Sequence, residues 1–472
     1  MSRPHIVVVG GGLAGLSAAL GCVEGGARVT LLERRRRLGG LTWSYEHDGA
    51  MIDNGQHVFL RCCHAYLDFL RRIGSEDDVE IQDRLDVTVL RPGTGGRGPD
   101  RSRLRRRDLP APLHLATALL GYQLLTWPER LRLGAAALPL RRLDLADPAL
   151  DTETFASWLG RHGQSPHAIA NLWDLITVAT INLPASEASL ALGAKVFQTG
   201  LLTEAGAADI GWSRVPLSQL HGDAAEAALT RRGAELHRDE RVVRIDPLDP
   251  TVARRDDGSH PGFAVRTEHR SFDADGVIVA LPPKEAAAVV PPATFANQAR
   301  VDELGTSPIV DVHLRYDRPV TDLPVAAGVD TRAQWIFDRT ASSGLAASRG
   351  ARAGQYLAVS ISAADAELGV HPDRLVASIT AELAGLFPAA ATARVVDGFV
   401  TKERTATFRA VPGTASLRPG PTTALSGLAM AGAWTDTGWP ATMEGAVRSG
   451  TAAARAAMVA TGRTRLLPEE VA

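Results

Sequence analysis

Apolar positions along this chain follow the periods of an α/β protein. His5–Val9 is an unbroken, β-branched run, the pattern of a parallel strand buried on both faces. A Gly-rich turn, a helix-compatible stretch and a second apolar run, "ARVTLLE", ending at Glu33, follow it. Further along, "GAELHRDERVVRIDP" alternates as a strand over 241–245, and "ADGVIVALPP" (274–283) is a buried strand stopped by two prolines. "PIVDVHLRYD" (308–317) and "QYLAVSIS" (355–362) alternate as sheet elements should. "PGTGGRGPDRSR" (92–103) reads as a loop rich in Gly, Pro and Arg. Near the C-terminus, "AGAWTDTGWPATMEGAVRSG" (431–450) leaves a strand end, passes Gly, Trp and Pro440, and enters a helix with small residues on one face.

Composition narrows the classes. With 472 residues the chain can bury the cores of roughly two or three domains. Its 51 basic and 53 acidic residues nearly cancel, so no basic excess points to nucleic acid. Cys22, Cys62 and Cys63 form no CxxC pair, and no histidine cluster has ligand spacing, so neither a disulfide scaffold nor a metal site is expected. The strand pattern starts within a few residues of Met1, which leaves no room for a signal peptide, and no apolar run approaches the ~20 residues of a spanning helix. These features predict a cytoplasmic protein, with a peripheral seat on the inner face of the cytoplasmic membrane left open.

Gly10, Gly12 and Gly15 form a GxGxxG turn between the first strand and its helix. The first glycine permits the turn, the second lets backbone approach a pyrophosphate, and the third lets helix and sheet pack closely. Leu13 and Ala14 then open a helix whose free N–H groups favour phosphate. Glu33, at the end of the second strand, is placed to accept from a ribose hydroxyl and argues against a 2′-phosphate.

The residues that follow choose between dinucleotides. "ERRRRLGGLTWSYEHDGAMIDNGQHVF" resembles the second fingerprint of the flavin-containing amine oxidase and desaturase superfamily, through Glu33, Arg37, Gly39 and Gly40. Arg34 and Leu41 flank that pattern; many relatives carry Arg where Leu41 stands. "DNGQH" matches the turn beside the flavin ring and contributes Gly55, Gln56 and His57. The resemblance implies a Rossmann-type FAD-binding domain with an inserted α+β substrate domain. It divides the chain into a discontinuous FAD-binding domain (1–90, 215–290 and 395–465) and a substrate domain (91–214 and 291–394). Val243 and Ala280 are similar to positions on the nucleotide side. Gly432, Ala433, Trp439 and Met443 occupy the C-terminal flavin motif, with Ala433 where an Asp is common and Asp436 and Glu444 nearby.

Later blocks narrow the resemblance. "NLWDLITVATINLPASEASL" (171–190), "FDRTA" (337–341) and "KERTATFRAVPGTASLRPGP" (402–421), with the 431–450 stretch, resemble the hydroxysqualene dehydroxylases, also described as squalene-associated FAD-dependent desaturases. That resemblance spans essentially the whole chain and implies reduction of hydroxysqualene to squalene, with FAD as the hydride carrier. It implies loss of an allylic hydroxyl with acid assistance in a dry site. No second nucleotide fingerprint identifies the electron donor. Candidate catalytic residues are His57, on the flavin-proximal loop, and Asn182, which interrupts an apolar run; Asp53 and Asp174 are further acids. Leu172, Trp173, Ile176, Val178, Ile181, Leu183 and Pro184 suit either a substrate tunnel or an ordinary core.

The segment 110–143 follows an arginine cluster with apolar, helix-compatible stretches that Pro128 and Pro139 interrupt. It suits shallow docking on an anionic leaflet, or equally an internal helical hairpin with a solvated arginine face. A carotenoid-type desaturase is the nearest rival reading. An FAD-retaining lipid-binding protein without catalysis is the alternative from another class.

Overall fold

The computed structural model describes residues 3–93, 95, 97–249, 262–345 and 354–462. The first apolar run forms the central strand of a five-stranded parallel sheet ordered Glu235–Arg238, Arg28–Glu33, His5–Val9, Gly276–Val279, Leu428–Met430. Every residue of His5–Val9 is buried, as its unbroken pattern requires. The helix Leu13–Glu24 returns from this strand and lies under the C-terminal helix Met443–Ala460. The small residues of the latter make that crossing close. A Cβ at Gly450 would stand 2.1 Å from the Ala14 carbonyl oxygen, and Ser17 Oγ donates to the Val447 carbonyl at 3.0 Å.

A three-stranded antiparallel sheet (Val242–Pro247, Phe263–Thr267, Ser271–Ala274) lies in the chain between the strands Glu235–Arg238 and Gly276–Val279 of the parallel sheet. The strand expected at 241–245 begins at Val242, and its register shifts between Val242 and Arg244. A seven-stranded mixed sheet forms the second layer, ordered Val395–Thr407, Ser307–Tyr316, Gln355–Ser362, Trp335–Asp338, Val325–Gly328, Asp86–Arg91, Asp100–Arg105. The helix Pro372–Leu386 covers it with Leu375, Ile379 and Leu383.

This pairing moves the expected domain boundaries. Asp86–Arg91 and Val395–Thr407 fell on the FAD-binding side in the sequence division, yet they hydrogen-bond into the second sheet. The segment read as a loop over 92–103 ends in the strand Asp100–Arg105, because Ser102 and Leu104 turn inward while the arginines between them face out. Thr94 and Gly96 of that segment lie outside the described residues, as do residues 463–465 of the FAD-binding division and 346–353 of the substrate division.

A helical region built on 113–202 packs around Tyr122, Phe155, Trp158, Trp173 and Phe197. Within it Pro128 begins a helix rather than interrupting one. Trp127–Leu140 is opened by a capping box between Thr126 and Glu129, and proline in the first turn has no amide to lose. Pro139 lies inside the last turn of the same helix.

The helix crossing yields a test. Gly450→Leu forces side-chain atoms against the Ala14 carbonyl and should destabilise the fold by about 2–3 kcal/mol in urea denaturation. Gly160→Ala, where nothing lies within 4 Å of the new Cβ, should change stability by no more than about 1 kcal/mol.

Candidate cofactor and catalytic site

The three glycines of the first turn have distinct reasons to be glycine. Gly10 sits at φ +107°, and a Cβ there would fall 2.3 Å from the Ala280 carbonyl oxygen. At Gly15 a Cβ would overlap the Gly10 carbonyl at 1.8 Å. Gly12 differs: its backbone is extended, and the nearest atom to an added Cβ is Gly40 Cα at 3.7 Å. No atom of the described residues demands glycine there, and the space in front of it is open. Helix Leu13–Glu24 opens on this space with no side-chain cap and no acidic residue in its first turn. The first-turn amides, Leu13, Ala14 and Gly15 among them, have no partner within the helix and favour an anion.

Glu33 is buried at the end of the second strand, where its carboxylate accepts from the amides of Gly11 (2.7 Å) and Arg35 (2.8 Å). The second glycine turn locks onto the first. Gly39 N–H donates to the Gly11 carbonyl at 2.8 Å, and a Cβ at Gly40 would lie 2.8 Å from Gly12 Cα. Arg37 donates to the Gly40 carbonyl at 3.1 Å and stacks 3.6 Å over Trp43; burial lowers its pKa to about 10. Arg37 thus braces the glycine pair from behind, while Arg34 and Leu41 are exposed. Val243 lies at the strand irregularity with its side chain exposed, and the Ala280 amide donates to the Val9 carbonyl at 2.8 Å.

The loop 53–57 is fixed by a buried ion pair. Asp53 accepts from Arg339 Nη2 (2.8 Å), Ser44 Oγ (2.7 Å) and the Leu217 amide (2.9 Å), and Arg339 also donates to the Ser213 carbonyl (3.1 Å). These donors occupy Asp53 structurally, so it is no free acid. His57 is half-buried with Nδ1 at 3.0 Å from the Gly55 carbonyl. Burial lowers its pKa and holds the ring neutral. With Nδ1–H donated to Gly55, Nε2 is left as an acceptor, so His57 is a poor proton donor at neutral pH. Gln56 Nε2 is buried without a hydrogen-bond partner among the described residues.

Against this loop stands a group the sequence reading did not single out. Asp311, on Ser307–Tyr316, is 2% exposed, and its Oδ2 lies 3.5 Å from the Cβ position of Gly55. Burial, aided by the charge of Asp53 and opposed by Ser360 and the Gln56 amide, raises its pKa to about 7. Its Oδ1 has no hydrogen-bond partner among the described residues. Behind the loop, Tyr356 Oη meets His313 Nδ1 at 2.7 Å and His313 Nε2 meets Thr401 Oγ1 at 3.1 Å. To the other side Tyr66 Oη meets His221 Nε2 at 2.7 Å. The one signal for Asp311 was the strand pattern. Val310, Val312 and Leu314 share one face, so Asp311 and His313 share the other, which by sequence reads as solvent-facing and in the fold is covered.

The other candidate, Asn182, holds the chain together. It caps the helix Asp174–Ile181 at φ +61°. Its Nδ2 donates to the Ser307 carbonyl (3.0 Å) and Thr407 Oγ1 (3.1 Å), and its Oδ1 accepts from the Ala363 amide (2.6 Å). Both donors are used, which leaves none to orient a substrate hydroxyl. Asp174 likewise accepts from the Ala185 amide at 2.7 Å, and burial raises its pKa. Of the tunnel candidates, Leu172, Trp173, Ile181 and Leu183 are buried in the cores, whereas Ile176, Val178 and Pro184 keep accessible surface.

In the C-terminal stretch the amide of Gly432 (φ +144°) donates to Ser449 Oγ at 2.9 Å, and Ala433 is half-buried beside it. Trp434 Nε1 donates to the Leu281 carbonyl at 2.9 Å, and Asp436 is exposed. Trp439 lies between Lys195 and Arg448, each 5.0 Å from its ring centre. Met443 opens the helix that Thr442 caps through the Gly445 amide (3.1 Å). Glu444 turns away to accept from the Tyr66 amide (2.7 Å) at the start of helix His64–Ile73, and from Arg448 (2.7 Å).

A model of the family described as flavin containing amine oxidoreductase matches residues 13–458. Hydroxysqualene dehydroxylase of Rhodopseudomonas palustris is 29% identical over 465 residues, covering 95% of this chain and 96% of the relative. 15-cis-phytoene desaturase of Synechococcus elongatus is 24% identical, over 96% and 95% of the two chains. Among solved structures, cyclohexylamine oxidase from Brevibacterium oxydans superposes with a TM-score of 0.69 at 19% identity, over 98% of this chain and 99% of that one. The cofactor is FAD, and the open space at Gly12 fits its pyrophosphate. Gly12→Ala should therefore change the stability of the apoprotein by no more than about 1 kcal/mol. It should weaken FAD binding at least ~10-fold by fluorescence titration, a difference of ~1.4 kcal/mol.

Proposed function

Because this chain belongs to the flavin-containing amine oxidoreductase family and is an FAD-dependent oxidoreductase, we propose that it reduces hydroxysqualene to squalene. The full-length likeness to hydroxysqualene dehydroxylase supports the substrate. The observation that carries the reaction is the pair of buried, unpartnered polar atoms at the 53–57 loop, Gln56 Nε2 and Asp311 Oδ1. A buried polar atom without a partner is costly, and a substrate that is hydrocarbon except for one hydroxyl satisfies such atoms.

Reduced FAD supplies a hydride when bound. The remaining work belongs to the chain. The amides of Leu13–Gly15 would hold the pyrophosphate, Glu33 would accept from the ribose hydroxyls, and Gly55, Gln56 and His57 would form the wall beside the ring. His57, held neutral, offers an acceptor without adding a charge that would repel a cationic transition state. Burial of the loop excludes the water that would recapture an allylic cation.

The substrate partitions into membranes, and one face suits a bilayer. Arg101, Arg103, Arg105 and Arg107 line a groove of about 460 Å³ with Thr117 and Ala118. Beyond it Leu113 (58% exposed), Trp127 (63%) and Leu131 (71%) stand out of the surface. Trp127, Leu131 and Leu138 share one face of Trp127–Leu140, opposite the buried Leu133, Ala136 and Leu140. This is a shallow docking surface for an anionic leaflet: apolar side chains enter the interface while arginines meet the headgroups. No helix among the described residues is long and apolar enough to cross a membrane.

Two experiments test this reading. Protein reduced anaerobically should form squalene from hydroxysqualene in one turnover, with one flavin reoxidised per squalene. Dehydrogenation of phytoene by the oxidised protein, with no reaction of the alcohol, would make it a desaturase instead. Vesicles containing phosphatidylglycerol should sediment the protein at low salt and pure phosphatidylcholine should not. The Trp127→Ser/Leu131→Ser variant should lose at least ~10-fold in vesicle affinity, about 1.4 kcal/mol. Equal binding by the variant would remove this face as the contact.

A further inference from the structure

We infer that Asp311 is the proton donor that releases the substrate hydroxyl as water. The assignment rests on the dehydroxylase reading. Its ground is geometric: a carboxyl from the second sheet is pressed against the Gly55–His57 wall, 2% exposed, with one oxygen unpartnered. The other acids and the imidazole near the loop have other partners. Asp53 is paired with Arg339, Glu444 caps a helix, and His57 gives its Nδ1–H to Gly55.

The step balances within the site. The carboxyl O–H proton moves to the substrate hydroxyl oxygen, and the C–O bond breaks with its electron pair leaving on that oxygen. Water departs and leaves the allylic carbon as a delocalised cation, for which bound, reduced FAD would supply the hydride. The Asp311 carboxylate regains its proton from solvent between turnovers. A carboxyl suits this task because it is neutral before transfer, so no buried positive charge opposes the nascent cation.

The groups that face Asp311 fix its behaviour with pH. Asp53 adds negative charge and Tyr45 and Tyr356 would add it on ionising, Ser360 and the Gln56 amide hydrogen-bond the carboxyl, and His57 lies beside it at Gly55. Burial and Asp53 hold the carboxyl protonated up to about pH 7. The folded protein therefore keeps a proton that the unfolded chain, with its ordinary carboxyl near 3.8, releases. Stability should fall as pH rises from about 4 to about 7, and the loss should be complete above that window.

Asp311→Asn keeps the shape and removes both the proton and the titration. In the FAD-loaded variant, single-turnover reduction of hydroxysqualene should fall at least ~100-fold, the range of a general acid. The analogue carrying chloride in place of the hydroxyl departs without a proton, and the variant should reduce it within ~3-fold of the natural protein. By thermal denaturation between pH 5 and 8, the natural protein should lose stability relative to Asp311→Asn as pH rises. Turnover of the alcohol by the variant at an undiminished rate, or equal loss on alcohol and chloride, would overturn the assignment. Failure of the natural protein itself on the alcohol would overturn the dehydroxylase reading and this assignment with it.

Discussion

The ion pair between Asp53 and Arg339 joins the two halves of this protein. Asp53 ends a strand of the hairpin that follows the glycine turns, and Arg339 follows Trp335–Asp338 of the second sheet. Both are buried, and their remaining hydrogen bonds go to Ser44, Leu217 and Ser213. A buried pair of this kind is weak evidence for net stability, but loss of one partner strands a charge and costs about 3–5 kcal/mol. Its consequence here is positional. The loop that carries Gly55, Gln56 and His57 cannot move away from the strand that carries Asp311.

That juxtaposition sets the electrostatics. One charged pair, internally neutralised, sits beside groups that burial keeps uncharged: His57 and His221 neutral, Asp311 protonated up to about 7. Low dielectric penalises charge on each. The result is a site with polar atoms but little net charge, suited to a substrate that is apolar apart from one oxygen. The C-terminal stretch completes the enclosure. Arg418 gathers the carbonyls of Thr435 (2.6 Å) and Trp439 (2.8 Å), and the helix after them seats its small residues on Leu13–Glu24.

Local chemistry made the cofactor half legible in the sequence. The glycine spacing, the unbroken first strand and Glu33 each reflect a contact within a few residues or one strand, and the structure places them together. The substrate half was less legible because it depends on which strands pair. Residues 86–90 and 395–407 fell within the cofactor-domain ranges, and only their pairing partners place Asp86–Arg91 and Val395–Thr407 in the second sheet. Asn182 drew notice as a polar residue in an apolar run, yet its bonds reach Ser307, Ala363 and Thr407, more than a hundred positions away. Asp311 escaped notice because alternation shows that two faces differ without showing what covers the polar one.

On this reading the flavin ring and Asp311 meet at the loop 53–57. In a crystal structure of the FAD-loaded protein the pyrophosphate should lie on the amides of Leu13–Gly15, the ring against Gly55–His57, and Asp311 Oδ1 should face the space above the ring. A ring held elsewhere, or protein side chains between it and Asp311, would rule out Asp311 as the acid.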